Sequence, residues 1–167
     1  MIRPCSADDV SAIFDIINDA AEAYRGVIPE DLWKEPYMSM DYLSAEIADG
    51  VTFSGAVDET GDFDGVMGIQ DRGKVYLIRH AYVRTAVRRS GIGAALLAHL
   101  TQFTDKPFLI GTWKAATWAI SFYEKHGFQD VGPDETLRLL ETYWSIPARQ
   151  VKTSIVLADE RWYASKS

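Results

Sequence analysis

A predicted strand and a predicted helix are joined by a short segment that is rich in arginine and glycine: Arg88-Arg89-Ser90-Gly91-Ile92-Gly93-Ala94. The first amides of a helix lack intrahelical acceptors and lie at the positive end of the helix dipole. Glycine lets an anion approach those amides closely, and the arginines add positive charge. The segment therefore predicts a phosphate-binding turn, although a Gly-x-Gly turn taken alone is more often a tight connection without a ligand.

Two common phosphate-binding patterns do not fit this turn. A Walker A loop needs Lys and then Ser or Thr after its last glycine, whereas Ala94 and Ala95 follow Gly93. A dinucleotide-binding fingerprint needs a third glycine where Leu96 stands, and it follows the first strand of a parallel sheet. Both patterns are excluded, so the neighbouring elements must decide what the turn binds.

Hydrophobic periodicity predicts a mixture of helices and strands along the chain. A capping box at Ser6 and Asp9 starts the first helix, which ends near residues 24–26, and Ser39 caps the second. The predicted strands are residues 2–3, 51–57, 63–69, 75–83, 108–113, 128–131 and 151–157, of which 51–57, 63–69 and 75–83 form an antiparallel meander. A later helix begins at Gly91 and has Ile92, Leu96, Leu100 and Phe103 on one face. Two more helices cover residues 117–126 and 134–143.

Two segments in this order resemble the signature of the GNAT N-acetyltransferase superfamily. The first has the form Arg/Gln-x-x-Gly-x-Gly/Ala and is met by Arg88, Gly91 and Gly93. The second is the end of a helix with the form Phe-Tyr-x-x-x-Gly-Phe, which is met by residues 122–128. The resemblance implies an α/β (α+β) fold whose mixed, mainly antiparallel sheet of about six to seven strands is flanked by about four to five helices. It covers nearly the whole chain and implies a single acetyl-CoA-binding domain over residues 1–167.

The same resemblance implies acetyl-CoA as the coenzyme, held between splayed fourth and fifth strands. Backbone amides around the glycine turn would bind the pyrophosphate, and main-chain groups near the end of the fourth strand would bind pantetheine and polarise the thioester carbonyl. One departure from the family is Ala116, which stands where an asparagine often helps to hold pantetheine, so Thr112 or Thr117 would have to replace it. The coenzyme-binding residues expected are Ala81, Tyr82, Val83, Arg88, Arg89, Ser90, Gly91, Ile92, Gly93, Ala94, Ala119, Phe122 and Tyr123.

Tyr123 and His80 are the candidate catalytic residues. A phenol is protonated at neutral pH, so Tyr123 can donate a proton to the leaving thiolate, unless it only packs against the sheet. The fourth strand carries no carboxylate, which leaves His80 as the candidate general base. A bulge in this strand would decide whether Arg79 or His80 faces the acceptor, and a histidine paired within the fold or exposed is the alternative.

The acceptor is expected to be a primary amine of a small molecule, an amino acid derivative or a peptide. Arg25 could bind a carboxylate, whereas Glu22, Glu30 and Glu35 would suit a cationic amine, so the residues conflict. Trp33 and Trp144 are either pocket walls or core and lid residues. The substrate-binding residues expected are Tyr24, Arg25, Ile28, Trp33 and Arg79.

Composition sets limits on the remaining classes. The chain has 167 residues, a net charge of −7 and one cysteine, Cys5, which excludes intrinsic disorder, an internal disulfide and a Cys-rich metal site. We expect a cytoplasmic protein with no signal peptide, no nucleic-acid or membrane partner and no bound metal, and a homodimer is possible. The alternatives to an enzyme are a non-catalytic acyl-CoA-binding or sensing module and a structural interaction domain.

Overall fold

The computed structural model describes residues 1–166, in which seven strands form one sheet. The strands are β1 (Ile2–Pro4), β2 (Thr52–Val57), β3 (Phe63–Asp71), β4 (Tyr76–Val83), β5 (Phe108–Trp113), β6 (Gln129–Asp130) and β7 (Ser154–Ala158). The helices are α1 (Val10–Ala20), α2 (Met40–Ala48), α3 (Ile92–Thr101), α4 (Thr117–Lys125), α5 (Pro133–Tyr143), α6 (Ala148–Lys152) and α7 (Glu160–Ala164). This mixed α/β architecture, mostly antiparallel, confirms the predicted fold class.

The sheet has the order β1-β2-β3-β4-β5-β7-β6 and contains one parallel pair, β4 with β5. That pairing joins Tyr76–Ile78 to Phe108–Ile110 and then stops, although both strands continue. The remaining part of each strand therefore has one edge without a strand partner, which opens a gap in the middle of the sheet. The predicted meander is confirmed, since β2, β3 and β4 pair antiparallel in chain order.

Apolar side chains fill both faces of the sheet because neighbouring strand residues point to opposite sides. Val66 packs with α1 and α2, whereas Met67, the next residue, packs with α3. Leu77 and Ile78 divide in the same way between the α5 and α3 sides. The sheet is thus the middle layer of the domain, and helices cover both of its faces.

Two sequence predictions about the ends of elements were wrong. Phe103 does not share the apolar face of α3, because the helix ends at Thr101 and the Phe103 side chain is 68% exposed. The predicted strand at 151–157 begins later than expected, since residues 148–152 form α6 before β7 starts. Helix α7, capped by the Asp159 carboxylate, was not predicted. Within residues 1–166 no helix is long and apolar enough to cross a membrane.

Candidate active site

The glycine turn presents main-chain donors at the start of α3. Gly91 is the cap residue of this helix and has a φ of 84°, in the left-handed region, and Arg89 also has a positive φ of 64°. No side chain caps the helix, so the first amides of α3 are available to an anion. The Ser90 hydroxyl is already used, since it donates to the Val87 carbonyl at 2.5 Å.

A groove of about 730 Å³ runs from this turn to the gap in the sheet. Gly93 borders it, and a Cβ built on Gly93 would lie 3.4 Å from the Phe122 ring, so the helix and α4 pack closely here. Ser90 is the one predicted coenzyme residue that does not line the groove. The predicted residues that do line it are Ala81, Tyr82, Val83, Arg88, Arg89, Gly91, Ile92, Gly93, Ala94, Ala119, Phe122 and Tyr123.

A second cavity of about 350 Å³, the candidate acceptor cavity, lies on the other side of the gap. Its walls are largely aromatic and include Tyr37, Trp113 and Trp144. A Cβ on Gly111 would come within 3.3 Å of the Trp144 ring, so glycine at this position of β5 lets Trp144 lie against the strand. The groove and this cavity meet at five residues that line both: Tyr24, Ala81, Tyr82, Ala119 and Tyr123.

Tyr123 lies at this junction with a free hydroxyl. Its side chain is buried, and the hydroxyl makes no hydrogen bond with another residue in the described part of the chain. Burial raises the pKa of Tyr123 above the ordinary value, with a further contribution from nearby Tyr24. The phenol is therefore protonated at neutral pH, as a proton donor must be.

Tyrosines crowd the acceptor side of the junction. The ring of Tyr24 lies 5.3 Å from Tyr37 and 6.3 Å from Tyr82, measured between ring centroids. Burial raises the pKa of all three tyrosines. The Trp113 indole N–H donates to the Tyr37 hydroxyl at 3.0 Å, which fixes that ring against β5. The cavity thus offers aromatic faces and neutral hydroxyl groups.

Strand β4 contains a bulge at His80, which has a φ of 57°. Arg79 and His80 both line the acceptor cavity, so the bulge brings both side chains to it. Both bind one carboxylate, that of Glu46 in α2: Arg79 Nη2 lies 2.6 Å and His80 Nε2 2.9 Å from Glu46 Oε1. His80 is thus paired within the fold while still bordering the cavity.

Sequence reasoning missed Glu46. Its spacing could have identified it, because Glu46 follows the buried Leu43 by three residues and so lies on the same apolar face of α2. A carboxylate on such a face needs a partner, since burial of an unpaired charge is costly. Burial raises the pKa of the Glu46 carboxyl. The hydrogen bond from His80 and the charge of Arg79 together lower it by more, so the pKa lies below its ordinary value and the group stays ionised.

Three of the other residues predicted to bind the acceptor do not line the cavities. Ile28 is buried in a cluster with Trp113 and Ala116, behind the cavity wall. Arg25 and Trp33 line neither cavity, because Arg25 lies over the Trp33 ring and pairs with Glu22 and Glu35 at the surface. Of the two threonines considered as replacements for the missing asparagine, Thr112 lines the acceptor cavity and Thr117 lines neither.

A sheet split between β4 and β5, with an uncapped glycine turn at one end of the split, forms a site for an elongated ligand that carries a phosphate group. The chain belongs to the GNAT acetyltransferase family, since the family model described as "Acetyltransferase (GNAT) domain" matches residues 18–138. It is accordingly an acetyl-CoA-dependent acetyltransferase. A search of curated protein sequences found no match to the chain.

Solved structures of low sequence identity share the fold. A GNAT-family acetyltransferase from Staphylococcus aureus is 14% identical with a TM-score of 0.70, covering 95% of this chain and 97% of that one. The PaiA N-acetyltransferase from Thermoplasma acidophilum, solved with coenzyme A, is 17% identical with a TM-score of 0.71, covering 95% and 97%. A ribosomal-protein-alanine N-acetyltransferase from Brucella melitensis is 19% identical with a TM-score of 0.65, covering 95% and 98%.

The groove fits coenzyme A on its own chemistry. Free helix amides and two arginines at one end suit a pyrophosphate, and the unpaired edge of β4 at the other end suits the amide groups of pantetheine. Lys125 and His126 add further cationic or donor groups along its wall.

Proposed function

We propose that the chain transfers an acetyl group from acetyl-CoA to the primary amine of a small molecule, an amino acid derivative or a peptide, by direct attack in a ternary complex. The observation that supports this most strongly is the meeting of two cavities at Tyr123 and four neighbouring residues. An amine in one cavity and a thioester in the other would come into contact only there. Acetyl-CoA supplies the activated acetyl group, and the chain supplies position and proton transfer.

Positioning is the largest contribution that we assign to the chain. Amides from Gly91 to Ala94 hold the pyrophosphate, and the free edge of β4 at Ala81–Val83 orients the pantetheine arm. Fixing two reactants in contact can supply roughly 7–11 kcal/mol of the barrier reduction.

Two side chains handle the protons. Tyr123 donates the proton of its hydroxyl to the departing thiolate, because that hydroxyl is protonated, unpaired and located at the junction. His80 borders the acceptor cavity and takes the proton that the amine loses. Burial lowers the pKa of His80, so the ring is neutral at pH 7 and able to accept a proton.

The lining of the acceptor cavity also favours one kind of amine. No carboxylate is among the described residues that line it, whereas Lys34 lines it and makes no ion pair with any described residue. A polyamine would find no counter-charge there, so we expect amines with aromatic, neutral or acidic substituents to be preferred. Neither Arg25 nor any of the three glutamates lines the cavity, so none of them supports a choice of acceptor.

A non-catalytic acyl-CoA-binding module is the second candidate, favoured by one observation. Ala116 is fully buried and offers no polar side chain to the pantetheine arm, so one common contact is missing. Binding without turnover would fit such a loss.

Thiol release from acetyl-CoA distinguishes the two candidates. The panel is phenethylamine, phenylalanine, an alanine-terminated peptide and spermidine, each with mass detection of the acetylated product. We expect turnover with at least one of the first three and weaker turnover with spermidine. Binding of acetyl-CoA by calorimetry without turnover on any amine would support the sensing module, and a clear preference for spermidine would contradict the acceptor class.

A further inference from the structure

A compact polar cluster lies beneath the acceptor cavity, on the α2 side of β4. Glu46 accepts from Arg79 at 2.6 Å and contacts His80 Nε2 at 2.9 Å, and Arg79 also donates to the Gln70 side-chain oxygen at 3.0 Å. The side chains of Glu46 and Arg79 are each 11% exposed and that of His80 is 13% exposed. Because these side chains are mostly buried, solvent screens the attraction between their charges only weakly.

The backbone of His80 is held in an unfavourable conformation. A φ of 57° at a residue with a Cβ is uncommon, and such residues are found most often at functional sites, where the surrounding structure enforces them. Here the bulge places Arg79 and His80 consecutively at the same cavity, and the Phe53 ring stacks on the imidazole at 6.2 Å. Glu46 and Phe53 together fix the orientation of the ring.

The bond to Glu46 also determines where the proton of the neutral ring lies. An ionised carboxylate only accepts hydrogen bonds, so Nε2 must carry the hydrogen and Nδ1 must be the bare nitrogen. Nδ1 has no hydrogen-bond partner among the described residues, and the ring borders the acceptor cavity. His126 shows the opposite arrangement, because its Nδ1 lies 2.8 Å from the Phe122 carbonyl and must donate to it.

We propose that Glu46 is a positioning residue, which holds His80 with Nε2–H toward α2 and leaves Nδ1 free to receive the proton of the acceptor amine. This inference rests on the proposed function. As the new N–C bond forms and the C–S bond breaks, one amine proton moves to Nδ1, and the thiolate takes the proton of Tyr123. The imidazolium then bears a positive charge opposite Glu46. Solvent carries its extra proton to the Tyr123 phenolate, which restores the neutral ring and the phenol.

Two charged groups act on the imidazole, Glu46 of α2 and Arg79 of β4, and the Phe53 ring of β2 stacks on it. Tyr42 of α2 acts on Glu46 instead, whose hydrogen-bonded carboxylate it stabilises, and Gln70 of β3 accepts from Arg79. Burial lowers the pKa of His80, the bond to Glu46 raises it, and the charge of Arg79 lowers it. Removal of Glu46 and removal of Arg79 should therefore shift the titration of His80 in opposite directions.

The first test is nitrogen NMR of protein labelled with ¹⁵N-histidine, which needs no substrate. The chain has three histidines, so the ring signals can be assigned from His80→Gln and His126→Gln variants. We expect the Nε2–H form for neutral His80 and the Nδ1–H form for His126, which serves as the internal reference. A dominant Nδ1–H form for His80 would overturn the inference.

The second test compares the pH dependence of kcat in Glu46→Gln and Arg79→Met with that of wild type. We expect the acidic limb to move to lower pH in Glu46→Gln and to higher pH in Arg79→Met, each by roughly one unit, with kcat of Glu46→Gln reduced roughly tenfold or more. Glu141→Gln, on the exposed face of α5, is the matched control and should leave the profile unchanged. A purely structural role would lower the thermal midpoint in both variants and leave both limbs in place, which would overturn the inference.

Failure of this inference can be told from failure of the proposed function. Absence of turnover in wild type would overturn acetyl transfer, and the NMR result would still decide the orientation of His80. Full kcat in His80→Gln would remove the base role from His80. A large loss in His80→Gln together with an unshifted limb in Glu46→Gln would remove the positioning role from Glu46 alone.

Discussion

Gly91 shows how much of this site depends on one residue. Its φ of 84° lies in the left-handed region, and a Cβ at this position would meet no atom within 4 Å, so the requirement for glycine is one of backbone conformation and not of space. The turn that it allows directs the first amides of α3 toward the groove.

Replacement of Gly91 by alanine should raise the KM for acetyl-CoA and lower the free energy of unfolding by about 1 kcal/mol, because a Cβ strains the left-handed conformation. Gly61→Ala is a matched control, since Gly61 has a φ of 92° in the β2–β3 turn and equally open surroundings. Steady-state kinetics and chemical denaturation of both variants test this. Equal KM values in the two variants would show that the turn does not bind the coenzyme.

Single residues also mark the limit of sequence reasoning. Tyr123 and the glycine turn were candidates from the sequence because each lies within a short segment of distinctive spacing, and both line the groove. Glu46 could not be assigned a role, because its partners lie 33 and 34 residues away and are brought to it only by the β4 bulge. Pairing across such a distance depends on packing, which local patterns do not encode.

Strand β4 contains both features that shape the site, the bulge at His80 and the split from β5. It pairs with β3 along most of its length, contains a bulge at His80 and leaves β5 after Ile78. Its sequence predicted a strand and raised the possibility of a bulge, and the meander and α4 followed the prediction closely. The region after α5 was predicted less accurately. The β-branched residues near 151–157 favour a strand, whereas the residues directly after Pro147 form α6.

The contact between β1 and the start of α1 should be lost in acid. Arg3 donates two hydrogen bonds to the Asp9 carboxylate, which also accepts the Ser6 amide, and these bonds lower the pKa of Asp9 to about 2. A carboxyl whose pKa is lowered on folding stabilises the fold above its unfolded pKa, near 3.9, and loses that contribution as pH falls toward 2.

Asp9→Asn should therefore unfold at a lower temperature than wild type at pH 7, and the difference should shrink between pH 4 and pH 2. Thermal unfolding followed by circular dichroism over this range measures it. Asp134→Asn, at an exposed position with no such partner bond, provides the comparison. A difference that does not depend on pH would contradict the assignment.

For the whole molecule, net charge and local charge have opposite signs. The chain carries −7, yet the lining of the coenzyme groove includes Arg88, Arg89 and Lys125 and no carboxylate among the described residues. Composition alone argued against polyanionic partners, and the uneven distribution of arginine indicated one small anionic ligand.

Saturating acetyl-CoA should raise the thermal midpoint by roughly 5–10 °C when its concentration is about 100 times its Kd, because binding to the folded state adds about 2.7 kcal/mol. Added salt should reduce this shift by screening the arginines. Differential scanning fluorimetry at two ionic strengths measures both effects. Arg138→Ala, on the exposed face of α5, should keep the full shift, while Arg88→Ala should lose part of it.

We propose that acetyl transfer takes place where the two cavities meet, with Tyr123 as the proton donor. The most direct measurement is the kcat of Tyr123→Phe on the best amine, with its Kd for acetyl-CoA measured by calorimetry and Tyr163→Phe, at the surface of α7, as control. We predict a loss in kcat of roughly a hundredfold or more, an unchanged Kd, and wild-type values for Tyr163→Phe. A wild-type kcat in Tyr123→Phe would show that Tyr123 is not the proton donor.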